Sequence, residues 1–192
     1  MVLDAENFKE AKITLLLIFI NIIFFILFNI ILDLEYLLLL AQINSKVIVD
    51  FELWRLITSM FLHADIIHLF SNMVALLIFG AAVENNFRRY QYIIIYFLSG
   101  LIGNLFSLVL LPLNVISLGA SGAIFGLVGA AFIFFAREDQ SFIILGLFYI
   151  IYFIIMSFAP GINPWAHIFG LLGGILFGYL FKFKKRKIYY EA

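Results

Sequence analysis

Cysteine is absent from the 192 residues of this chain, which excludes disulfides, thiolate catalysis and sulfur-bound metals. Proline occurs three times, and no Pro/Gly-rich linker or low-complexity tract interrupts the sequence. Nothing therefore marks off a second domain. Charge is scarce as well: Asp, Glu, Lys and Arg make up 12% of the residues, about half the share found in soluble domains. The formal net charge is zero, so any information carried by charge lies in its placement.

What is abundant is apolar bulk. The chain is 65% hydrophobic and 18% aromatic, with a mean hydropathy of +1.13, values that belong to an integral membrane protein. Six runs are long enough to be spans, roughly 12–32, 66–84, 90–111, 120–136, 141–158 and 164–181. The first has no small-residue cleavage site behind it and reads as a retained transmembrane helix. The one long connection, 33–65, mixes Leu34, Tyr36 and Leu37–Leu40 with Asp33, Glu35, Asp50 and Glu52. It is too polar to span and too apolar to float free, and is expected to lie embedded at the interface.

Lysine and arginine set the orientation. With the N-terminus inside, the cytoplasmic segments hold Lys9, Lys12, Arg88, Arg89, Arg137 and the KFKKRK run with its Lys182, Lys184, Lys185, Arg186 and Lys187. The outer segments hold Lys46 and Arg55. Ten against two places both termini in the cytoplasm. The basic tail, 182–192, then reads as a lipid-headgroup anchor, and no nucleic-acid partner is expected.

In that orientation the second, fourth and sixth spans all begin at the outer face. Their first turns carry His68 and Asn72, Ser121, and His167, which therefore share one depth. The first, third and fifth spans show no comparable cluster there. Ser121 stands in Gly119-Ala120-Ser121-Gly122, where a loop becomes an apolar helix of about 16 residues, roughly 24 Å long. That is short of the bilayer core, so the serine is expected below the surface, in protein or facing a wet cavity. Histidine is the usual base for a serine nucleophile, and His167 opens the sixth span after Pro164 and Trp165. A helix N-terminus at Ser121 favours negative charge, and the Ser121 amide, Asn72 and His68 can donate to an oxyanion.

Other readings remain at this point. A serine in a span is usually a packing residue. A metal site is not expected, since there is no HExxH and His63 and His68, at i and i+5, are expected on different helical faces. The serine context differs from the hydrolase nucleophile elbow. No carboxylate lies where it would complete a triad: Asp65 is at the outer end of the second span, and Glu138 and Asp139 are on the inner side. A Ser–His dyad is the expected unit, with no cofactor. Glycines 122, 126, 129, 170, 173 and 174 are expected to let the fourth and sixth spans approach closely. A transporter would need polar groups in the inner halves of these spans, which are nearly all apolar.

Trp54-Arg55, His68-x-x-x-Asn72, Glu84, Gly119-Ala120-Ser121-Gly122 and Ala166-His167-x-x-Gly170-x-x-x-Gly174 together resemble the rhomboid intramembrane serine proteases, in the family's order over about 50–181. The chain resembles the minimal six-helix prokaryotic form. The resemblance implies an all-α, polytopic six-helix bundle with an embedded first outer loop, and a single domain over 1–192. It further implies that Ser121 is the nucleophile and His167 the general base, with His68, Asn72 and the Ser121 amide forming the oxyanion hole. Trp54 and Arg55 correspond to an ordering motif of the first loop, and Glu84 to a structural carboxylate. Gly170 and Gly174 correspond to the face on which the serine helix packs. Many relatives carry Tyr four residues after the serine; here Phe125 can stack on the histidine but lacks the hydroxyl. The implied function is cleavage of transmembrane segments of membrane-protein substrates in a prokaryotic inner membrane. A catalytically inactive rhomboid-like protein that grips client helices is the alternative.

Overall fold

A computed structural model describes residues 8, 10–138, 140 and 142–181. Lys9, Asp139 and the basic tail, 182–192, lie outside the described residues. The first long helix, α1 (Lys12–Ile31), ends in a π turn over Leu27–Ile31. The long connection after α1 is built from short pieces: α2 (Leu34–Leu40), β1 (Gln42–Ile43), α3 (Asn44–Ile48) and α4 (Arg55–Thr58), followed by a 3-10 turn at Ser59–Phe61. Then come α5 (Ile66–Asn86) and α6 (Arg89–Leu110). A strand β2 (Ile116–Ser117) precedes α7 (Ser121–Glu138), and α8 (Phe142–Met156) and α9 (Pro164–Leu180) complete the described chain. β1 and β2 pair antiparallel, Gln42 opposite Ser117, and so tie the long first connection to the loop that leads into α7.

Four of these helices, α1, α5, α6 and α7, are long and apolar enough to cross a membrane. α8 and α9 are apolar but shorter, at 15 and 17 residues. All six fall on the six apolar runs of the sequence, and the chain is an all-α polytopic membrane protein. α7 reaches Glu138, two residues beyond the expected Ala136. Its 18 residues still span only about 27 Å.

α7 lies at the centre, buried along most of its length, because its small residues admit backbone on several sides. A Cβ added to Gly129 would stand 2.5 Å from the Leu171 carbonyl oxygen, and one on Gly170 or Gly174 would strike the backbone of Gly122 or Gly126. Lipid tails are as apolar as leucine, so close packing of small residues replaces hydrophobic driving force between such helices. Large apolar side chains are left outside: Val109 and Ile144 are about four-fifths exposed, as a lipid-facing shell requires.

Buried polar side chains clasp the helices. Glu84, near the end of α5, accepts from the Ile13 and Thr14 amides at 2.9 and 2.8 Å and from the Thr14 hydroxyl at 2.9 Å. A carboxylate thus meets otherwise open N–H groups at the start of α1. In the long first connection, buried Arg55 donates to the carbonyls of Leu38 and Ala41 and to Glu52, which holds α4 against α2. Trp54 is half exposed and reaches the Leu39 carbonyl through its indole N–H at 3.4 Å. Asn104 on α6 donates to the Leu56 carbonyl at 2.8 Å.

Candidate active site

α7 begins at Ser121, and its first in-helix acceptor, the Ala120 carbonyl, is taken by the Ile124 N–H. The Ser121, Gly122 and Ala123 N–H groups therefore have no acceptor within the helix. The approach is set by Gly119, whose N–H is held by the Ser59 carbonyl at 2.9 Å and whose φ of +132° is a conformation that an L side chain rarely adopts. A Cβ at this position would also press to 3.0 Å from the His68 ring.

α9 begins with Pro164 after Asn163, whose side-chain oxygen accepts from the Ala166 N–H at 3.1 Å. The Asn163 amide also donates to the Ser107 and Ser117 hydroxyls, which fixes where the helix starts. One turn later His167 is 8% exposed, and its Nε2 stands 2.7 Å from Ser121 Oγ. Phe125, one turn below the serine, stacks on the imidazole with ring centroids 4.3 Å apart and planes 12° from parallel. The alcohol and the base thus come from two helices brought together by Gly122, Gly170 and their neighbours.

His68 and Asn72 on α5 line the same cavity, of about 730 Å³, as Ser121 and His167. His68 Nδ1 accepts a long bond from the Ala64 N–H at 3.4 Å, which assigns the ring proton to Nε2. His68 Nε2 is also one of the ring atoms closest to Gly119. Asn72 spends one amide proton on the His68 carbonyl at 2.9 Å, and its second remains to donate. The loops 117–119 and 160–163 close the cavity from the other side. Asp65 caps α5 by accepting from the His68 N–H at 2.8 Å and makes no bond to His167.

One sequence expectation is corrected. His63 and His68 do not diverge: their rings meet edge to face with centroids 5.1 Å apart. α5 begins only at Ile66, so the helical spacing does not apply to His63. The first, third and fifth spans carry no comparable cluster at this level, but single polar side chains do reach it. Asn29 on α1 donates to the His63 carbonyl. Asn104 lines the cavity. Ser157, just past α8, stands 2.7 Å from His167 Nδ1. Each is a single small polar residue near one end of an apolar run. Their signal was depth alone, and hydropathy does not register it.

Comparison with known proteins shows what the chain is similar to. The Rhomboid domain model matches residues 50–183. YdcA of Bacillus subtilis (strain 168), named as a candidate rhomboid protease, is 39% identical over 145 residues, 72% of each chain. RHOMBOID-like protein 6, mitochondrial, of Arabidopsis thaliana is 38% identical over 141 residues, 72% of this chain and 46% of that protein. Inactive RHOMBOID-like protein 8 of Arabidopsis thaliana is 34% identical over 127 residues, 63% of this chain and 36% of that protein. The chain thus spans less than half the length of both plant relatives.

Proposed function

The chain belongs to the rhomboid family, and from that premise we propose that it is an active intramembrane serine endopeptidase working through a Ser121–His167 dyad. The observation that carries this reading is the 2.7 Å contact between Ser121 Oγ and His167 Nε2 on the wall of a cavity roomy enough for a peptide segment and water. In the first step Ser121 Oγ attacks the scissile carbonyl carbon while its proton passes to His167 Nε2. The oxygen of that carbonyl becomes an oxyanion, met by the Ser121 N–H at the positive end of α7, the second Asn72 amide proton and His68 Nε2–H. The tetrahedral intermediate collapses as His167 gives the proton to the leaving amine. Water then attacks the acyl-enzyme by the same route, with His167 again the base.

The substrate is a transmembrane segment of another membrane protein. A carbonyl inside a helix is hydrogen-bonded and shielded, so the segment must unwind before it can be attacked. A second, apolar cavity of about 500 Å³ between α5, α7 and α8 shares Phe153 with the first and offers a sideways approach from lipid. The Lys and Arg distribution supports a multi-pass protein with both termini in the cytoplasm and the cavity towards the outer face, and the absence of cysteine suits a prokaryotic inner membrane.

The test is cleavage by the purified protein of a transmembrane substrate carrying a helix-breaking residue near its outer end. Cleavage, with labelling of Ser121 by a fluorophosphonate, is expected for the wild type and lost in Ser121→Ala and His167→Ala. Client helices retained without cleavage, and an unlabelled serine, would instead assign the chain to the inactive, client-binding class.

A further inference from the structure

His167 has two ring nitrogens, and the proteolytic reading uses one. The other, Nδ1, lies 2.7 Å from the hydroxyl of Ser157, and Ser157 Oγ is itself 2.7 Å from the Phe153 carbonyl oxygen. Ser157 is 2% exposed, is not part of the cavity wall, and belongs to none of the motifs that carried the family resemblance. A hydroxyl has one proton, and a carbonyl only accepts. Both contacts are hydrogen bonds in a single arrangement: Ser157 O–H donates to Phe153, and His167 Nδ1–H donates to Ser157 Oγ. His167 Nε2 is then bare and faces the Ser121 O–H. Three hydrogen bonds run in one direction from Ser121 to the backbone of α8, each polarising the next.

We propose that Ser157 is a positioning residue that holds His167 in the Nδ1–H tautomer, the form in which Nε2 can take the proton of Ser121. The inference rests on the proteolytic reading for its functional consequence, but its structural content stands separately. A third group that orients the base is the role a buried carboxylate fills in a triad; here a neutral acceptor fills it. Ser157 keeps accepting from Nδ1–H when Nε2 is protonated, so it supports both the neutral ring and the imidazolium. Removing it leaves a buried ring nitrogen without a partner. The opposite tautomer, which points N–H at Ser121, then becomes competitive.

The test has two arms, both on the full chain. The first reads the ring nitrogens of His167 by 15N NMR of histidine-labelled protein, its signal identified by loss in His167→Ala. Protonated Nδ1 and bare Nε2 are expected in the wild type, with the Nε2–H form gaining population in Ser157→Ala. A wild-type ring protonated at Nε2 overturns the proposal, whether or not the protein cleaves anything. The second arm compares cleavage kinetics. Ser157→Ala is expected to lower kcat roughly 10- to 100-fold with KM unchanged, and Ser157→Thr, which restores the hydroxyl, to recover most of it. Wild-type kcat in Ser157→Ala also overturns it. Failure of the proteolytic reading looks different: no cleavage and no fluorophosphonate labelling in the wild type, with the NMR arm still decisive for Ser157.

Discussion

Gly170→Ala adds a single methyl group, and it falls where the two halves of the dyad are held together. The new Cβ would overlap the Gly122 carbonyl oxygen, its nearest neighbour, and stand 2.9 Å from the carbonyl carbon and 3.2 Å from the Cα of the same residue, against an ordinary carbon–carbon separation of about 3.5–4.0 Å. Both partners are backbone, so neither can rotate away. Relief requires α7 and α9 to part by roughly 0.6–1 Å at this level. Ser121 and His167 lie one turn or less from the contact, and their 2.7 Å bond would lengthen to about 3.3–3.7 Å, at or past the limit of a hydrogen bond. Misplacement by about 1 Å can cost a reaction a hundredfold, while overpacking of this kind costs about 1–3 kcal/mol of stability. The assay is kcat for a transmembrane substrate alongside thermal unfolding in detergent. Gly178→Ala, whose Cβ would also meet α7 backbone, at 2.9 Å from Ala130 Cα, serves as the control. It strains the same helix pair less severely and two turns further from the dyad, so it should cost no more stability and less than about tenfold in kcat. Gly170→Ala with kcat within twofold of wild type would refute the claim that backbone contact sets the dyad distance.

Phe125→Ala removes the ring stacked on His167 and should lower kcat by about fivefold, an aromatic contact of about 1 kcal/mol; Phe125→Tyr should retain activity. Glu84→Ala leaves the Ile13 and Thr14 amides without their acceptor and should destabilise the fold by about 2–4 kcal/mol, read by thermal unfolding. His63 is fully buried, and burial, aided by the neighbouring His68, pushes it down to about 3 from its ordinary 6.5. The native state thus keeps His63 neutral while the unfolded chain takes up a proton. Stability from this residue is intact above pH 6.5 and falls as pH drops, by about 2 kcal/mol at pH 5. His63→Leu should flatten the unfolding-versus-pH curve between pH 6.5 and 5, and an unchanged slope would show that His63 does not remain neutral in the fold.

Arg55 and Glu84 illustrate how far the linear pattern reached. Both were singled out by the family resemblance, Arg55 within an ordering motif of the first loop and Glu84 as a structural carboxylate. Neither partner was legible: the Arg55 acceptors are backbone carbonyls of α2, and the donors to Glu84 are the opening amides of α1. Backbone groups are invisible in a residue alphabet. Ser157 shows the same limit from another direction. One hydroxyl at the end of an apolar run is indistinguishable from a packing serine until the neighbouring helix is in place.

By itself the sequence determined which segments enter the membrane, because transfer of apolar side chains depends on composition over a window and not on neighbours. It also determined that a serine, two histidines and an asparagine share one depth, since depth follows from span order alone. Tertiary structure decided what touches what. α7, α8 and α9 are apolar on nearly all sides, so no amphipathic stripe announces their rotation about their axes. That rotation is set by which glycines let which backbones meet, and it alone turned His167 towards Ser121 on one edge of its ring and Ser157 on the other.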